Sequence, residues 1–202
     1  MQRKAGPLYL PGDPVPAVEA MIRVDHAGEY GAVRIYEGQL AVLLPGPARD
    51  AVAEMAAQEQ RHLETFEKLI VERHVRPTIL SPLWRVAGFA LGAATARMGP
   101  RVAMACTVAV EEVIDEHYRE QAERLGTAES SLKSTIVEFR AEELEHRDTA
   151  LEHEAERAVG YPVLSALVKA GSRAAIWQQL LTQANLRSAA YVWLFDANAL
   201  AV

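Results

Sequence analysis

The chain has 202 residues, of which 50% are hydrophobic and 24% charged, so it is long enough to bury the core of one domain over residues 1–202. Its formal net charge of −6 gives no electrostatic reason to expect a nucleic-acid partner. A single cysteine, Cys106, excludes an intrachain disulfide and favours a reducing compartment. The amino terminus has no basic segment followed by an apolar one, so we expect no secretory signal.

Proline and glycine divide the chain into helical segments. Residues 1–16 contain four prolines and are expected to form an irregular lead-in. We predict long helices over 17–44, 48–74, 101–125 and 128–159, an apolar crossover helix over 83–98, and further apolar helices within 161–202. No stretch alternates apolar and polar residues as a strand does, so the predicted fold is all-α. The long connection between the second and third long helices is typical of a ferritin-like four-helix bundle.

A glutamate followed about thirty residues later by Glu-x-x-His occurs twice. The residues concerned are Glu29, Glu59 and His62 in the first copy and Glu111, Glu143 and His146 in the second. Within Glu-x-x-His the two side chains lie on one helix face. A lone glutamate and a Glu-x-x-His motif, each present twice, are the metal ligands of a carboxylate-bridged di-iron four-helix bundle. Four carboxylates and two neutral imidazoles carry a formal charge of −4, which two ferrous ions cancel. Oxygen and nitrogen ligands without thiolate suit iron or manganese better than structural zinc.

Further residues repeat with this pattern. Tyr36 and Tyr118 each follow a lone glutamate by seven residues and return to nearly the same helix face, where they either contact the site or simply pack. Small residues at 27, 28, 31 and 32 are expected to allow close helix approach around the Glu29 carboxylate. Spacing alone does not choose between Glu111 and its neighbour Glu112.

The crossover segment 83–98 is too apolar for an ordinary solvent face and too short to span a bilayer, which needs about eighteen apolar residues. One interpretation is that it lies in the membrane interface and admits an apolar substrate. The other is that it packs on the bundle as a fifth helix or forms a dimer contact.

Several segments of the chain together resemble the demethoxyubiquinone hydroxylase family, in collinear order over about residues 18–178. They are IRVDHAGEYGA (22–32), RPT (76–78), PLW (82–84), GFALG (88–92), AMACTVAVEE (103–112) and EELEH (142–146). The resemblance implies that Glu59 and Glu143 bridge two irons, that Glu29 and His62 complete one iron, and that Glu111, rather than Glu112, completes the other with His146. Family members end soon after the segment that matches 176–177, so the role of the last residues is unassigned.

The same resemblance implies a di-iron monooxygenase of ubiquinone biosynthesis, which uses O2 to hydroxylate the ring of demethoxyubiquinone. It implies a polyprenylated quinone as substrate and two external electrons, from NADH or a partner reductase. No Gly-x-Gly-x-x-Gly fingerprint of a dinucleotide domain is present. The expected location is peripheral, on the cytoplasmic side of the cell membrane or on the mitochondrial inner membrane. A homo-oligomer and partner proteins of ubiquinone synthesis are left open.

Other polar residues have a functional and an ordinary interpretation. His117 either hydrogen-bonds near the site or is a structural histidine, and His26 either assists the site or caps a helix. His153 is about 10 Å along the helix from His146, too far to share its metal, and His74 is expected in a loop. The alternatives to the hydroxylase are a ferritin-like iron-storage or ferroxidase protein, a tRNA-modifying di-iron hydroxylase, which the acidic charge disfavours, and a non-catalytic lipid-binding bundle.

Overall fold

The computed structural model describes residues 17–179, which form helices joined by short turns. The helices are α1 (Ala17–Val42), α2 (Pro47–Glu72), α3 (Ser81–Arg97), α4 (Pro100–Arg124) and α5 (Ser130–Glu152), followed by helical residues 161–179, here α6. These residues contain no strand, so the all-α prediction is confirmed. The predicted lead-in over 1–16 and the predicted helical residues beyond 179 lie outside the described range.

Four long helices form the bundle. α1 packs against α2, and α4 packs against α5, so the bundle consists of two helical hairpins. Contacts of α1 and α2 with α4, and of α2 with α5, join the hairpins. The long connection between them carries α3, which packs mainly on α1. This connectivity is the predicted ferritin-like arrangement.

Two of the helix starts follow directly from glycine–proline pairs. Gly46 and Gly99 adopt φ values of 153° and 120°, which side chains on other residues disfavour. Pro47 and Pro100 then occupy the first helical position, where a missing N–H is tolerated and φ is already helical. The sequence therefore sets the starts of α2 and α4 sharply.

The crossover helix α3 lies unusually close to α1 because glycines remove the side chains between them. A Cβ added at Gly92 would lie 1.9 Å from the carbonyl oxygen of Ile35, and one at Gly38 would lie 2.2 Å from that of Phe89. Neither backbone oxygen can give way locally without moving a helix. These contacts fix where α3 crosses α1.

The last bundle helix is shorter than its predicted range of 128–159. Residues 127–129 form a 3-10 turn, α5 begins at Ser130, and it ends at Glu152. Glu154 then adopts a left-handed conformation with φ of 62° and forms ion pairs with Arg101 and Arg157. Ala155 enters the core immediately afterwards. The chain thus turns without a glycine or proline signal, which is why the prediction of 159 is wrong.

The bundle core consists of apolar layers on both sides of a polar centre. One cluster includes Tyr36, Met55 and Met104, and the other includes Phe66 and Tyr118. Along each bundle helix, the predicted ligand residues lie between members of these two clusters. Within residues 17–179, no helix combines the length and apolar character needed to cross a lipid bilayer.

Candidate metal centre

The structure brings the six predicted ligand residues together at the middle of the bundle. Each of the four long helices contributes: α1 carries Glu29, α2 carries Glu59 and His62, α4 carries Glu111, and α5 carries Glu143 and His146. They form two overlapping groups in which the potential ligand atoms lie within 4.8 Å of one another. One group is Glu29, Glu59, His62 and Glu143; the other is Glu59, Glu111, Glu143 and His146. All six side chains are buried, with at most 2% exposure.

Many polar atoms of this cluster have no hydrogen-bond partner. They are both side-chain oxygens of Glu59 and Glu143, Oε2 of Glu29 and of Glu111, and Nδ1 of His62 and of His146. Leaving a buried polar atom unsatisfied costs about 1–3 kcal/mol, and more for a charged group. Cations between these lone pairs would satisfy them together. The residues therefore fit a dinuclear metal centre, and their oxygen and nitrogen donors suit iron or manganese.

Without metal, the glutamates of the cluster tend to hold protons. Burial, with the negative charge of Glu143, raises the pKa of Glu59 and of Glu111 well above the ordinary value. Burial also raises the pKa of Glu143, although the adjacent His62 ring opposes the rise. These carboxyls therefore exchange protons for metal ions when the centre is loaded.

The two histidines differ in charge when metal is absent. Burial lowers the pKa of His146, so this ring is neutral near pH 7. Burial also acts downward on His62, but the carboxylates of Glu143 and Glu29, close to its Nδ1, raise its pKa to about 11. His62 is thus an imidazolium that offsets part of the negative charge of the metal-free cluster.

Both histidines point Nδ1 towards the carboxylates and Nε2 outward. The Nδ1 of His62 lies 3.2 Å from Glu143, and that of His146 lies 3.1 Å from Glu59. The outer Nε2 of His62 lies 2.5 Å from Glu142, while that of His146 hydrogen-bonds to the side-chain oxygen of Gln58. Such outer partners fix the ring orientation and the tautomer of a ligand histidine.

Glu142 and Gln58 are not among the candidate site residues predicted from the sequence. A signal was nevertheless present, because each directly precedes the glutamate of a Glu-x-x-His motif. Each reaches across to the histidine of the other motif, so the contact depends on the packing of α2 beside α5.

Each repeated tyrosine hydrogen-bonds to the lone glutamate of the opposite hairpin. The Tyr36 hydroxyl on α1 donates to Glu111 on α4 at 2.6 Å. The Tyr118 hydroxyl on α4 donates to Glu29 on α1. Burial, with the nearby carboxylates, raises the pKa of both phenols well above 10, so both remain donors. Of the two predicted interpretations, contact with the site is therefore the observed one.

Glu111 and Glu112 differ in what their side chains contact. Glu111 points into the cluster and is 1% exposed. Glu112 points away from the cluster and forms an ion pair with Lys169 on α6. Their separation by one residue, about 100° around a helix, sends them to different sides of α4.

A second polar network lies beside the cluster and contains His117. Its Nε2 is 3.1 Å from the buried carboxylate of Asp25, which also accepts a hydrogen bond of 2.6 Å from Gln121. Burial raises the pKa of Asp25, although these contacts oppose the rise. His117 contacts none of the six cluster residues by hydrogen bonding in the described structure, and His26 and His153 also lie outside both ligand groups. His74 lies in the turn after α2 with φ of 55°.

An apolar cavity of about 520 Å³ is lined by Gly28 and Val110, the chain neighbours of the cluster residues Glu29 and Glu111. Its walls come from α1, α3, α4 and α6, and its lining includes Trp84, Val110, Ile114 and Leu167. Residues 27, 28, 31 and 32 also line it, and a Cβ added at Gly28 or Gly31 would meet no atom within 4 Å. Close helix approach does occur at this stretch, since a Cβ added at Gly88 of α3 would lie 2.9 Å from the carbonyl oxygen of Gly31. The same small residues also leave open space in the cavity.

A ferritin-like bundle with a buried carboxylate–histidine cluster beside an apolar cavity defines the class of this protein. The sequence profile of the family described as "Ubiquinone biosynthesis protein COQ7" matches residues 16–179. The chain belongs to this family, which confirms the resemblance seen in the sequence.

Relatives from bacteria and eukaryotes match most of the chain. It is 56% identical over 178 residues to the 3-demethoxyubiquinol 3-hydroxylase of Rhodospirillum rubrum, covering 87% of this chain and 84% of that protein. It is 52% identical over 165 residues to the mitochondrial NADPH-dependent 3-demethoxyubiquinone 3-hydroxylase of Homo sapiens, covering 80% and 76%. It is 43% identical over 177 residues to the mitochondrial 5-demethoxyubiquinone hydroxylase of Saccharomyces cerevisiae, covering 79% and 76%.

Proposed function

We propose that this protein is a di-iron monooxygenase that hydroxylates the ring of demethoxyubiquinone in ubiquinone biosynthesis. The observation that carries the proposal is the convergence of six buried ligand side chains beside an apolar cavity. The names of the relatives supply the substrate. In the net reaction, one atom of O2 enters a ring C–H bond as hydroxyl, and the other leaves as water with two electrons and two protons.

The six side chains divide between two metal positions. Glu59 and Glu143 belong to both groups of the cluster and would bridge the ions. Glu29 with His62 would complete one position, and Glu111 with His146 the other. Two irons bound here would supply the reductive activation of dioxygen.

The surrounding residues orient these ligands and keep the site dry. Tyr36 and Tyr118 donate hydrogen bonds to the two lone glutamates and so limit their rotation. Apolar core clusters close the bundle on both sides of the cluster and exclude water from it. A low local dielectric strengthens each of these contacts.

The cavity would hold the quinone ring beside the cluster and direct its prenyl tail outward between α3 and α6. Leucine, isoleucine, valine, alanine and glycine make up most of its lining, which suits an isoprenoid chain. Lys169 and Arg173 of α6 pair with Glu112 and Glu116 of α4 and so hold this wall in place.

If the cavity binds the quinone, Gly28→Leu should weaken binding without weakening the fold. The new side chain has open space at its Cβ and would occupy volume that the substrate needs. We expect KM for a short-chain demethoxyquinone to rise about tenfold, the factor that corresponds to 1.4 kcal/mol, with Tm nearly unchanged. An unchanged KM in a folded variant would place the substrate elsewhere.

The protein would reach its substrate by binding to the membrane surface. Exposed apolar side chains lie on α3 and α6, next to the cavity, and include Leu83, Val86, Phe89, Val163, Leu167 and Trp177. Such a surface suits peripheral insertion into a lipid interface. The location would be the cytoplasmic side of the cell membrane, or the inner membrane in mitochondria, since several eukaryotic relatives are named mitochondrial.

We therefore expect the protein to float with phospholipid liposomes in a density gradient, and Leu83→Glu/Phe89→Glu to lose flotation. Moving a charged side chain into the lipid costs more free energy than the apolar side chain it replaces gains there. Val137→Glu is the matched control, because Val137 is equally exposed but lies on α5. Flotation that persists in the double variant would exclude this surface.

The electrons would come from a nicotinamide nucleotide, either directly or through a reductase. NADPH appears in the names of the relatives from Homo sapiens and Dictyostelium discoideum, and NADH is the donor implied by the sequence resemblance. Oxidation of each nucleotide by the iron-loaded protein, with and without quinone, distinguishes the two donors.

The direct test supplies the reduced, iron-loaded protein with a short-chain demethoxyquinone under ¹⁸O₂ and weighs the product. The proposal requires a single labelled oxygen on the ring and close to two irons per chain. A protein that assembles a hollow shell and stores many irons would be a ferritin-like storage protein. One that takes up no iron would be a non-catalytic lipid-binding bundle.

A further inference from the structure

The two ligand histidines occupy equivalent positions in the sequence repeat but have chemically different partners. The Nε2 of His62 meets the carboxylate of Glu142, at 2.5 Å. The Nε2 of His146 meets the carboxamide oxygen of Gln58. Because both partners accept a hydrogen bond, both rings carry their proton at Nε2 and offer the Nδ1 lone pair to the cluster when metal is bound.

A carboxylate that accepts a hydrogen bond from an imidazole increases the basicity of the ring more than a carboxamide does. The charge-assisted hydrogen bond from His62 to Glu142 draws the Nε2 proton outward and increases electron density at Nδ1. Glu142 also adds a negative charge in direct contact with His62, which acts more weakly on His146, whereas Gln58 adds no charge. Arg61 pairs with Glu142 at 3.3 Å, but its side chain is 55% exposed and its charge is therefore screened by water.

The other contacts of the cluster do not cancel this difference. Tyr36 and Tyr118 act equally, since each donates one hydrogen bond to one lone glutamate. Glu59 and Glu143 belong to both positions. The two metal positions therefore differ most clearly in the hydrogen-bond partner of their histidine, which is Glu142 for His62 and Gln58 for His146.

We propose that the metal position formed by Glu29 and His62 binds its ion more tightly than the position formed by Glu111 and His146, with Glu142 as the positioning residue that sets the difference. This inference rests on the proposed dinuclear centre. The ion at the Glu111 and His146 position would then be the one lost first on exposure to a chelator.

Release of iron to a chelator tests the proposal without measuring hydroxylation. The protein is loaded anaerobically with two ferrous ions per chain and mixed with excess ferrozine, and absorbance reports the release. We expect two phases of equal amplitude. Glu142→Gln should accelerate the slow phase about tenfold, at the low end of the effect of such outer partners on metal affinity, and change the fast phase much less.

The reciprocal variant and a charge control complete the design. Gln58→Glu should slow the fast phase, because it gives His146 a carboxylate partner. Glu145→Gln removes the same charge from an exposed position on α5 and should change neither phase. Circular dichroism shows whether each variant folds. If Glu142→Gln does not fold, the proposal is tested by whether Gln58→Glu slows the fast phase.

Different results would contradict the unequal affinity of the two positions and the di-iron centre itself. Two irons released in one phase, or variants that change both phases equally or neither, would overturn the inequality and leave the di-iron centre standing. A wild-type chain that takes up no iron would overturn the centre itself.

Discussion

Glu143→Ala is expected to abolish hydroxylation and to reduce bound iron well below two per chain. Glu143 belongs to both ligand groups, so its loss removes an oxygen donor from both metal positions at once. We expect activity to fall by more than about 1000-fold, corresponding to roughly 4 kcal/mol of lost transition-state stabilisation. Bound iron is measured by elemental analysis and turnover by the labelled-oxygen assay.

The helical fold should survive this substitution. The apolar clusters on both sides of the site do not include Glu143, and the change removes a buried carboxyl whose burial raises its pKa. The far-ultraviolet circular dichroism spectrum should therefore stay that of the wild type. Glu145→Ala, on the exposed face of the same helix, serves as the control and should retain both iron and activity.

Full activity in folded Glu143→Ala would remove the proposed bridging role. Glu111 and Glu112 provide a second, adjacent pair for the same question. Glu111→Ala should lose iron, because Glu111 lies in the cluster, while Glu112→Ala should lose only an ion pair with Lys169. Equal iron loss in both variants would contradict the assignment.

The fold and the position of the cluster could be predicted from sequence because both depend on local periodicity. Glu-x-x-His fixes two side chains on one helix face, and its duplication predicts that two such helices face each other. The long connection between hairpins then selects the ferritin-like topology. The structure brings Glu29, Glu59, His62, Glu111, Glu143 and His146 together, as that reasoning expects.

Features that depend on packing between distant elements were not predictable in the same way. The choice between Glu111 and Glu112 is one such feature. Glu112 turns away from the cluster and pairs with Lys169 on α6, a helix that is distant in sequence. The cavity exists because α3 and α6 close a space beside α1 and α4, so the small residues near Glu29 gave no sign of it. The early end of α5 depends on Glu154, which adopts a left-handed conformation that sequence seldom signals.

Removing the metal should make the stability of the protein depend strongly on pH. Glu59, Glu111 and Glu143 have pKa values raised by burial in the folded, metal-free chain, and burial raises that of Asp25 as well. A group whose folded pKa is raised contributes stability that is fully present below its unfolded pKa, 4.5 for these glutamates and 3.8 for Asp25. That stability is lost as pH rises through the folded pKa.

The histidines modify this trend without reversing it. His62 also has a raised pKa, about 11, so the stability it contributes is fully present below pH 6.5 and is lost progressively as pH rises from 6.5 to about 11. His146 and His26 have lowered pKa values, so protonation of the unfolded chain destabilises the fold below about 6.5. Above pH 6.5 these two are neutral in both states, so the raised pKa values of His62 and of the buried carboxyls determine the slope.

The metal-free protein should therefore lose free energy of unfolding between pH 6.5 and 8.5, by roughly 1.4 kcal/mol for each proton released over one pH unit. Urea unfolding of the chelator-treated protein across this range measures the loss. The iron-loaded protein should show a much smaller slope, because metal ions have replaced the protons. His62→Gln should flatten the metal-free slope over this range, since it removes the group whose pKa of about 11 lies above it. Metal-free stability that rises with pH over this interval would contradict the raised pKa of His62.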